Sequence, residues 1–232
     1  NVAAIIDSRK DSKTDLDVPF YNGAEVSNTF GRQGLKSINV KKNNMESKIE
    51  VDCLAVSGGW NPTLHLTCHM NGRPIWNEKI LSFVPEIGAI PNMAVVGASN
   101  GFMDTHSCFM SAEKEVGRII KSSGRTAKTK RLPKAELTKY EIAPKWFVEG
   151  KGRAWLDYQN DVTVKDIQQS VQENFKSVEH MKRYTTQGMA IDQGKNSNVA
   201  SLAILADATG RGIPETGTTT FRPPFVPVSI AS

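Results

Sequence analysis

The sequence predicts a mixed α/β chain in which part of a nucleotide-binding domain precedes a small all-α module. Short strand-like and turn-like pieces alternate over residues 2–56. An apolar run at 93–96 then leads through small residues into an amphipathic helical pattern. Beyond a basic stretch, helical periodicity returns between residues 163 and 209. We therefore expect strands, a strand-turn-helix unit and three closing helices, in that order.

Composition sets the size and class of the protein. The 232 residues suit one large domain or two small ones, and 39% hydrophobic with 23% charged residues is ordinary for a soluble globular protein. No apolar run approaches the ~20 residues of a membrane-spanning helix. We expect a partial nucleotide-binding domain at 1–122, a basic linker at 123–150 and a helical module with a proline-rich tail at 151–232. Because Asn1 opens directly onto a strand-like run, we expect a piece of a longer protein.

Cysteine content and charge suggest a compartment and exclude one class of partner. Cys53, Cys68 and Cys108 are scattered and odd in number, which favours reduced thiols and a cytoplasmic location over a disulfide framework. Much of the net charge of +5 lies in Lys121 to Lys134. That stretch has no aromatic residues for stacking on bases. It is therefore interpreted as a solvated connector or subunit contact, not a nucleic-acid site.

Strand-like pieces dominate the first quarter of the chain. They are Val2 to Asp7, Ala24 to Thr29, Leu35 to Lys41 and Ile49 to Val56. Asp7 ends the first of them, at the position where a nucleotide-binding fold meets a ribose. The glycine fingerprint that normally precedes such an acidic residue is absent. Asp7 is either a ribose ligand or a simple strand-end cap.

A glycine pair follows the predicted strand Cys53 to Val56. The sequence S-G-G-W-N-P allows a close turn, and Pro62 is suited to the first position of a helix that carries Leu64 and Leu66. That helix also holds three residues of metal-binding type: His65, Cys68 and His69. We do not interpret them as a metal site, because one helix cannot place three ligands within five residues around a tetrahedral ion.

The predicted strand Met93 to Val96 enters the turn G-A-S-N-G, and Asp104 is placed to cap the helix that follows. Apolar residues recur along that helix at helical spacing: Cys108, Ala112, Val116, Ile119 and Ile120. A strand, a turn of small residues and a helix N-terminus favour an anion, because backbone amides and the helix dipole face the turn. The alternative is a routine strand-to-helix connection.

Three helices are predicted in the last third. Thr163 and Asp166 form a capping box ahead of a face made by Val164, Ile167, Val171 and Phe175. Ser177 caps a second helix with Val178, Met181 and possibly Tyr184 on its buried side. A third helix runs from about Asn196 to Thr209 and stops at Gly210, with Val199, Leu202, Ala203 and Ala206 inward.

The loop between the second and third helices carries the strongest hint of a binding site. Gly188 and Gly194 bracket a turn, which should leave backbone amides free. Donor side chains surround them: Thr185, Thr186, Gln187, Gln193 and Lys195. This mixture of hydroxyl, amide and ammonium groups suits a phosphate. The alternative is a surface loop between helices.

Three stretches resemble the alpha subunits of heterotetrameric sarcosine oxidases. They are S-V-E-H-M-K-R-Y-T-T-Q-G-M-A-I-D-Q-G-K (177–195), W-L-D-Y-Q-N-D-V-T (155–163) and T-T-T-F-R-P-P-F-V-P-V (218–228). The resemblance extends to V-D-C-L-A-V-S-G-G-W-N-P (51–62) and V-V-G-A-S-N-G (95–101). It implies an FAD/NAD(P)-binding fold of the kind found in reductases with two dinucleotide domains. It also implies that this chain is an internal fragment of a longer subunit.

The resemblance assigns cofactors to two places. In G-A-S-N-G-F-M-D-T it implies NAD contacts at Ala98, Met103 and Thr105. It also places the 177–195 region near FMN, which the family attaches covalently to its beta subunit. On chemical grounds, our candidates for the alpha-side contacts with the FMN phosphate are Thr186, Gly188, Lys195 and Arg222.

The helical module further resembles a ferredoxin-like [2Fe-2S] domain found in related dehydrogenases. Its four cysteine positions are occupied here by Asp157, Gln159, Gln187 and Asp192. Such clusters require thiolate ligands, for which histidine is the usual substitute. We therefore expect no iron–sulfur cluster.

The activity implied by the resemblance is oxidative demethylation of sarcosine by a multi-subunit flavoenzyme. FAD in the beta subunit accepts the hydride, FMN passes electrons to oxygen, and hydrogen peroxide forms. Tetrahydrofolate in a C-terminal domain of the alpha subunit takes the one-carbon unit, and beta, gamma and delta subunits are the partners. No group in this sequence could oxidise the amine alone. Two alternatives stay open: the alpha subunit of a related proline or amine dehydrogenase, and a non-catalytic interface scaffold with NAD as a structural ligand.

Overall fold

The computed structural model describes residues 1–126 and 131–221, and its architecture is mixed α/β, as predicted. The strands are β1 (Ile5–Asp7), β2 (Phe20–Asn22), β3 (Glu25–Phe30), β4 (Ser37–Lys42), β5 (Met45–Glu50), β6 (Ile75–Asn77), β7 (Ser82–Val84), β8 (Trp155–Asp157) and β9 (Val162–Thr163). The helices are α1 (His65–His69), α2 (Thr105–Ser122), α3 (Val164–Gln172), α4 (Val178–Thr185), α5 (Asn198–Thr209) and α6 (Ile213–Thr216), and a 3₁₀ helix at Gly97–Asn100 precedes α2. In the two described ranges, no helix is both long and apolar enough to cross a bilayer.

The N-terminal strands form two small sheets. β1 pairs in parallel with β2, whereas β3, β4 and β5 form an antiparallel sheet in that order. Asn43 and Asn44, at φ of 49° and 64°, make the two-residue turn between β4 and β5. That turn starts β5 at Met45, so the predicted strand Ile49 to Val56 was placed too late. Hydrogen bonding to β4, not an apolar run, decides where β5 lies.

Two other predicted strands are wrong. Residues 53–56 and 93–96 form neither helix nor strand, and within the described residues neither run pairs with a neighbouring strand. An apolar run becomes a strand only where a partner satisfies its backbone groups. The prediction that Pro62 begins a helix is also wrong, because α1 starts at His65. Asn61 accepts a hydrogen bond of 2.8 Å from the Ser82 hydroxyl, which holds the preceding segment against β7.

Helix α2 forms as predicted, and Asp104 caps it by accepting a hydrogen bond from the Ser107 amide at 2.9 Å. Its predicted apolar face has no core to enter, since none of the residues of α2 is buried. The helix packs chiefly against the 3₁₀ helix that precedes it. Val116 and Ile119 are about half exposed.

The C-terminal module contains the three predicted helices together with a hairpin of two strands and a short helix, none of which was predicted. Thr163 and Asp166 form the predicted capping box of α3, and Ser177 caps α4. The description of this module as all-α is incomplete, because β8 and β9 form an antiparallel hairpin and α6 follows α5. Phe175 lies beyond the end of α3, where it stacks on Tyr184 at 4.8 Å between ring centroids.

Two hydrophobic clusters organise the described residues. The smaller one lies in the first sheet around Ala24, Ile38 and Val40. The larger one joins α1 and β7 to the helical module: its buried members are Leu64, Cys68, Phe83, Val162, Val164, Ile167, Val178, Met181, Leu202, Ile204, Leu205 and Phe221. Helix α5 is central to it and is buried on several sides, with Leu202 and Leu205 fully inaccessible. Packing therefore continues from residues 64–84 into the module.

The described part of the predicted linker forms neither helix nor strand, but its second half lies against the N-terminal region. The Tyr140 hydroxyl accepts a hydrogen bond from the Trp60 amide at 3.2 Å, and Lys145 forms an ion pair with Glu25. The carbonyl of Glu141 accepts a hydrogen bond from Arg9. The stretch from residue 140 to 145 thus packs along the N-terminal region. Residues 127–130 of the predicted linker lie outside the described ranges.

Candidate functional site

The turn at 186–195 is closed by its two glycines. Gly188 and Gly194 have φ of +66° and +74°, a conformation that residues with a Cβ rarely adopt. A Cβ built on Gly188 would lie 3.3 Å from the Cα of Gly194. The two ends of the loop therefore touch backbone to backbone. The predicted glycine-bracketed turn is confirmed.

The prediction that this turn offers free amides is wrong at its two glycines. The Gly188 amide donates to the Asp157 carboxylate at 2.8 Å, and the Gly194 amide donates to Asp192 at 3.2 Å. The carbonyl of Asp192 accepts from the Lys195 amide. The loop thus satisfies these amides within the chain, a requirement of any buried backbone group. The Gly188 amide is not available to a phosphate.

Asp157 holds the turn to the β8–β9 hairpin. Its side chain is 2% exposed, and it also accepts hydrogen bonds from the amides of Gln159 at 2.9 Å and Asn160 at 3.4 Å. Gln187, at 1% exposure, donates through Nε2 to the Ser197 hydroxyl at 2.9 Å. Two of the four positions compared with cluster cysteines are therefore buried hydrogen-bonding residues. Among the described residues, no group of three or more His, Cys, Asp and Glu side chains is placed to hold a metal ion.

The remaining candidates for the FMN phosphate lie apart from one another. Thr186 is exposed, and its hydroxyl donates to the carbonyl of Thr185 at 2.6 Å. Lys195 is half-buried and lines a cavity on the side of the turn that faces α1. Arg222 lies outside the described residues.

That cavity has a volume of about 430 Å³. One wall is the glycine segment 58–62 with the start of α1, and the other is formed by 194–199 and the chain after α6. Its lining residues are Gly58, Gly59, Trp60, Asn61, Pro62, Thr63, Leu64, His65, Phe83, Gly194, Lys195, Asn196, Asn198, Val199, Thr218 and Phe221. This cavity thus brings together residues 58–62 and the pair Gly194 and Lys195, which are distant in the chain.

His65 forms part of the cavity wall. Its ring is 4% exposed and lies 4.5 Å from the ring of Phe221, centroid to centroid. Burial lowers the pKa of His65, the nearby Lys195 ammonium lowers it further, and Asp192 acts in the opposite direction. The imidazole is therefore neutral at pH 7. The sequence gives no sign that His65 lines the same cavity as Gly194.

The cavity residues other than Lys195 were not predicted as site residues. Trp60 and Asn61 had a signal, since they follow two glycines, but the sequence around them predicts only a close turn before a helix. Asn198 had none. Its side chain donates to the Thr218 hydroxyl at 3.0 Å and accepts from the Thr219 hydroxyl at 3.2 Å, contacts that join α5 to the chain after α6.

The second candidate region is the turn before α2. Ala98 lies in the 3₁₀ helix and is exposed, Met103 follows it, and Thr105 is the exposed first residue of α2. Gly97 is the first residue of the 3₁₀ helix and Gly101 follows its last residue, with φ of +65° and +87°. The three residues predicted to contact NAD thus belong to one short turn at a helix N-terminus. This geometry suits a nucleotide without requiring one.

Asp7 has a local role in the structure. β1 is indeed a parallel strand, and Asp7 is its last residue. Its carboxylate accepts from the Arg9 amide at 2.9 Å and forms an ion pair with the Arg9 guanidinium at 2.6 Å. The hydrogen bond from Arg9 lowers the pKa of Asp7. These contacts match the strand-end cap that the sequence left open as an alternative to a ribose ligand.

Comparison with solved structures defines the class of fold. The chain superposes on a crystal structure of L-proline dehydrogenase from P. horikoshii with a TM-score of 0.69, at 14% identity, over 99% of this chain and 49% of that one. At that identity the match shows the fold alone, which is the fold of part of a dehydrogenase chain.

Comparison of sequences identifies the relatives of the chain. Residues 151–232 match the sarcosine oxidase A3 domain. The whole chain is 35% identical over 237 residues to sarcosine oxidase subunit alpha of Rhizobium meliloti (strain 1021), covering 24% of it. Over 80% of its length it is 36% identical to the subunit of Corynebacterium sp. (strain P-1), covering 20%. Over its whole length the chain is therefore similar to part of the sarcosine oxidase alpha subunits, and it spans about a quarter of the length of these relatives.

Proposed function

We propose that this chain is part of the alpha subunit of an oxidoreductase that demethylates sarcosine. The observation that carries the proposal is the match of the whole chain to subunits named for that activity. The complete complex, containing beta, gamma and delta subunits in the cytoplasm, would convert sarcosine to glycine and release hydrogen peroxide. The one-carbon unit would pass to tetrahydrofolate in a C-terminal domain beyond this segment. The flavins supply the redox chemistry, and this segment supplies position and electrostatics.

The turn before α2 is the proposed NAD site. Ala98 and Met103 offer apolar surface, and Thr105 offers a hydroxyl at the positive end of an 18-residue helix. Gly97 and Gly101, both at positive φ, set the conformation of this turn. Thr105→Val, which removes the hydroxyl at constant size, should weaken NAD binding to the complete subunit by about tenfold. Thr138→Val, at an exposed position, is the control.

The region around 186–195 is the proposed alpha-side contact with FMN bound to the beta subunit, while FAD lies in the beta subunit. Lys195 would neutralise the phosphate together with Arg222, and Gly188 would shape the turn. Thr186 would rotate its hydroxyl away from the Thr185 carbonyl and donate to the phosphate. The placement of Lys195 in a cavity beside the turn supports this proposal. A charge-assisted hydrogen bond is worth about 1.5–3 kcal/mol, or roughly tenfold or more in retention.

The test is made in the assembled complex. We expect Lys195→Ala and Arg222→Ala to lower FMN content and to slow electron transfer from reduced FAD, with Lys176→Ala as an exposed-lysine control. Full FMN content and unchanged transfer rates in both variants would instead support the interface-scaffold function, in which the segment only shapes the subunit contact.

One alternative is favoured by a specific observation. The fold match to L-proline dehydrogenase makes a proline or amine dehydrogenase a second candidate. Oxygen consumption and peroxide release by the complex with sarcosine, measured beside L-proline with a dye acceptor, separate the two. Turnover of sarcosine with peroxide formation supports the oxidase. If the complex turns over only L-proline and takes up no oxygen, the dehydrogenase replaces the oxidase as the proposed function.

A further inference from the structure

The side chain of Ser111 bonds α2 to the turn that precedes it. Its partly buried hydroxyl accepts a hydrogen bond from the Gly97 amide at 2.9 Å and donates one to the Cys108 carbonyl at 2.9 Å. A hydroxyl carries a single proton and an amide can only donate, so the two bonds together fix the orientation of this group. Gly97 begins the 3₁₀ helix and lies 14 positions from Ser111 in sequence. Ser111 therefore holds the start of the turn against the body of α2.

The other end of the turn is held as well. The Phe102 amide donates to the Gly97 carbonyl at 3.2 Å, and the Cys108 thiol donates to the Phe102 carbonyl at 3.1 Å. Gly101 lies against the segment that joins β6 to β7, since a Cβ built on it would come 3.0 Å from the Ile80 side chain. The turn is thus closed on itself and lies between α2 and that segment.

The backbone held in this way carries residues of the proposed NAD site. Ala98 follows Gly97 directly, and Met103 follows Phe102 directly. A shift at either end of the turn would therefore move one of these two apolar contacts. Without the Ser111 oxygen, the Gly97 amide would lose its acceptor, and a partly buried backbone donor without a partner favours another conformation.

From these contacts we infer that Ser111 is a positioning residue of the proposed NAD site, acting through the backbone that carries Ala98 and not through a contact with the nucleotide. The inference rests on the proposed NAD function of this turn and adds to it a residue from outside the turn. Only the fraction of molecules whose turn has the binding conformation takes up NAD. Ser111 raises that fraction, because it orders the turn before the ligand arrives.

The experiment uses the complete alpha subunit in its assembled complex, with two variants of Ser111 and one control. Ser111→Ala removes the acceptor for Gly97, and Ser111→Thr keeps a hydroxyl at the same place. The control is Ser122→Ala, on the same helix. The Ser122 hydroxyl also donates to the carbonyl three residues earlier, that of Ile119 at 2.8 Å, but no described residue donates a hydrogen bond to it. The comparison therefore isolates the bond to Gly97.

Three quantities are measured in each protein: the NAD affinity by calorimetry, the amide hydrogen exchange of residues 97–102 without ligand, and the melting temperature. We expect Ser111→Ala to weaken NAD binding by about tenfold and to speed exchange in residues 97–102. The Ser111→Thr and Ser122→Ala variants should match the unmodified complex in both.

The outcomes separate the inference from the proposed function. If the unmodified complex binds NAD and Ser111→Ala binds it equally well, the site stands and the inference is overturned, even where the melting temperature falls. Unchanged exchange in residues 97–102 of Ser111→Ala also overturns it, because the turn then does not depend on Ser111. If the unmodified complex binds no NAD, the proposed site itself is wrong, and the positioning role is rejected with it.

Discussion

At the scale of single residues, Asp157 shows how a polar side chain can organise a loop. Its carboxylate is almost inaccessible, yet it accepts three backbone hydrogen bonds, one of them from Gly188 across the module. Buried amides must be paired, and a carboxylate provides several acceptor positions in one place. The Gly188 amide, which was expected to bind a phosphate, is therefore bonded to the Asp157 carboxylate.

We predict that Asp157→Ala lowers the free energy of unfolding by about 2–4 kcal/mol, because it leaves buried amides without an acceptor. Asp157→Asn, which keeps one oxygen, should lose less. Urea unfolding of the full chain measures both, with Asp207→Ala on the exposed side of α5 as a control expected within about 0.5 kcal/mol of the unmodified chain. Equal stability of the Asp157→Ala and Asp207→Ala variants would contradict this role.

His65 should make stability depend on pH. Because burial and Lys195 lower the pKa of folded His65 below its ordinary value of 6.5, the unfolded chain takes up the proton first as pH falls. The contribution of His65 is fully present above about pH 6.5 and is lost as pH falls toward the lowered pKa. His65→Phe, which keeps a ring against Phe221, should flatten this loss between pH 7.5 and 5.5 in urea unfolding. The exposed His69→Gln should retain it, and parallel pH profiles in the two variants would refute the assignment.

At the scale of elements, the glycine turn and the helix caps behave differently. The caps of α2, α3 and α4 were predicted from local residue order, because a cap bonds an amide only a few positions away. The conformation of the turn was predicted too, but its hydrogen bonds were not. They depend on Asp157, which is 31 residues from Gly188 in sequence.

Substitution of two glycines distinguishes the energetic cost of backbone strain from the cost of a steric clash. Gly194 and Gly210 both have positive φ, but a Cβ on Gly210 meets nothing within 4 Å, whereas one on Gly194 lies 3.2 Å from the Cα of Gly188. We expect Gly210→Ala to cost about 1–2 kcal/mol from conformation alone. Gly194→Ala should cost about 1–3 kcal/mol more, because the turn must open. Thermal unfolding of both variants tests this, and equal costs would show that the turn opens freely.

At the scale of the whole molecule, the described residues contain two hydrophobic clusters that do not follow the predicted division at residues 122 and 150. Residues 64–84 contribute to the same cluster as the helical module, while the first sheet has its own. The domain boundaries stay a prediction. The clusters do indicate which segments should lose structure together.

Hydrogen exchange should reveal that grouping. Ile167→Ala removes a fully buried side chain from the larger cluster, at a cost of about 2–5 kcal/mol, and should speed exchange in β7 and in α3 to α5 alike. Val40→Ala, in the smaller cluster, should speed exchange mainly in β3 to β5. Slow, unchanged exchange in β7 of the Ile167→Ala variant would show that residues 64–84 open independently.

The sequence by itself determined the mixed α/β class, the helices α2 to α5, the N-terminal caps of α2 to α4, and the resemblance to sarcosine oxidase alpha subunits, because these rest on local periodicity, capping residues and motifs read in order. Only the tertiary structure decided the rest. The runs at 53–56 and 93–96 did not form strands, since pairing requires a partner that local sequence cannot specify. The same is true of the cavity, where Trp60 and His65 meet Lys195 only because the larger cluster packs α1 against the helical module.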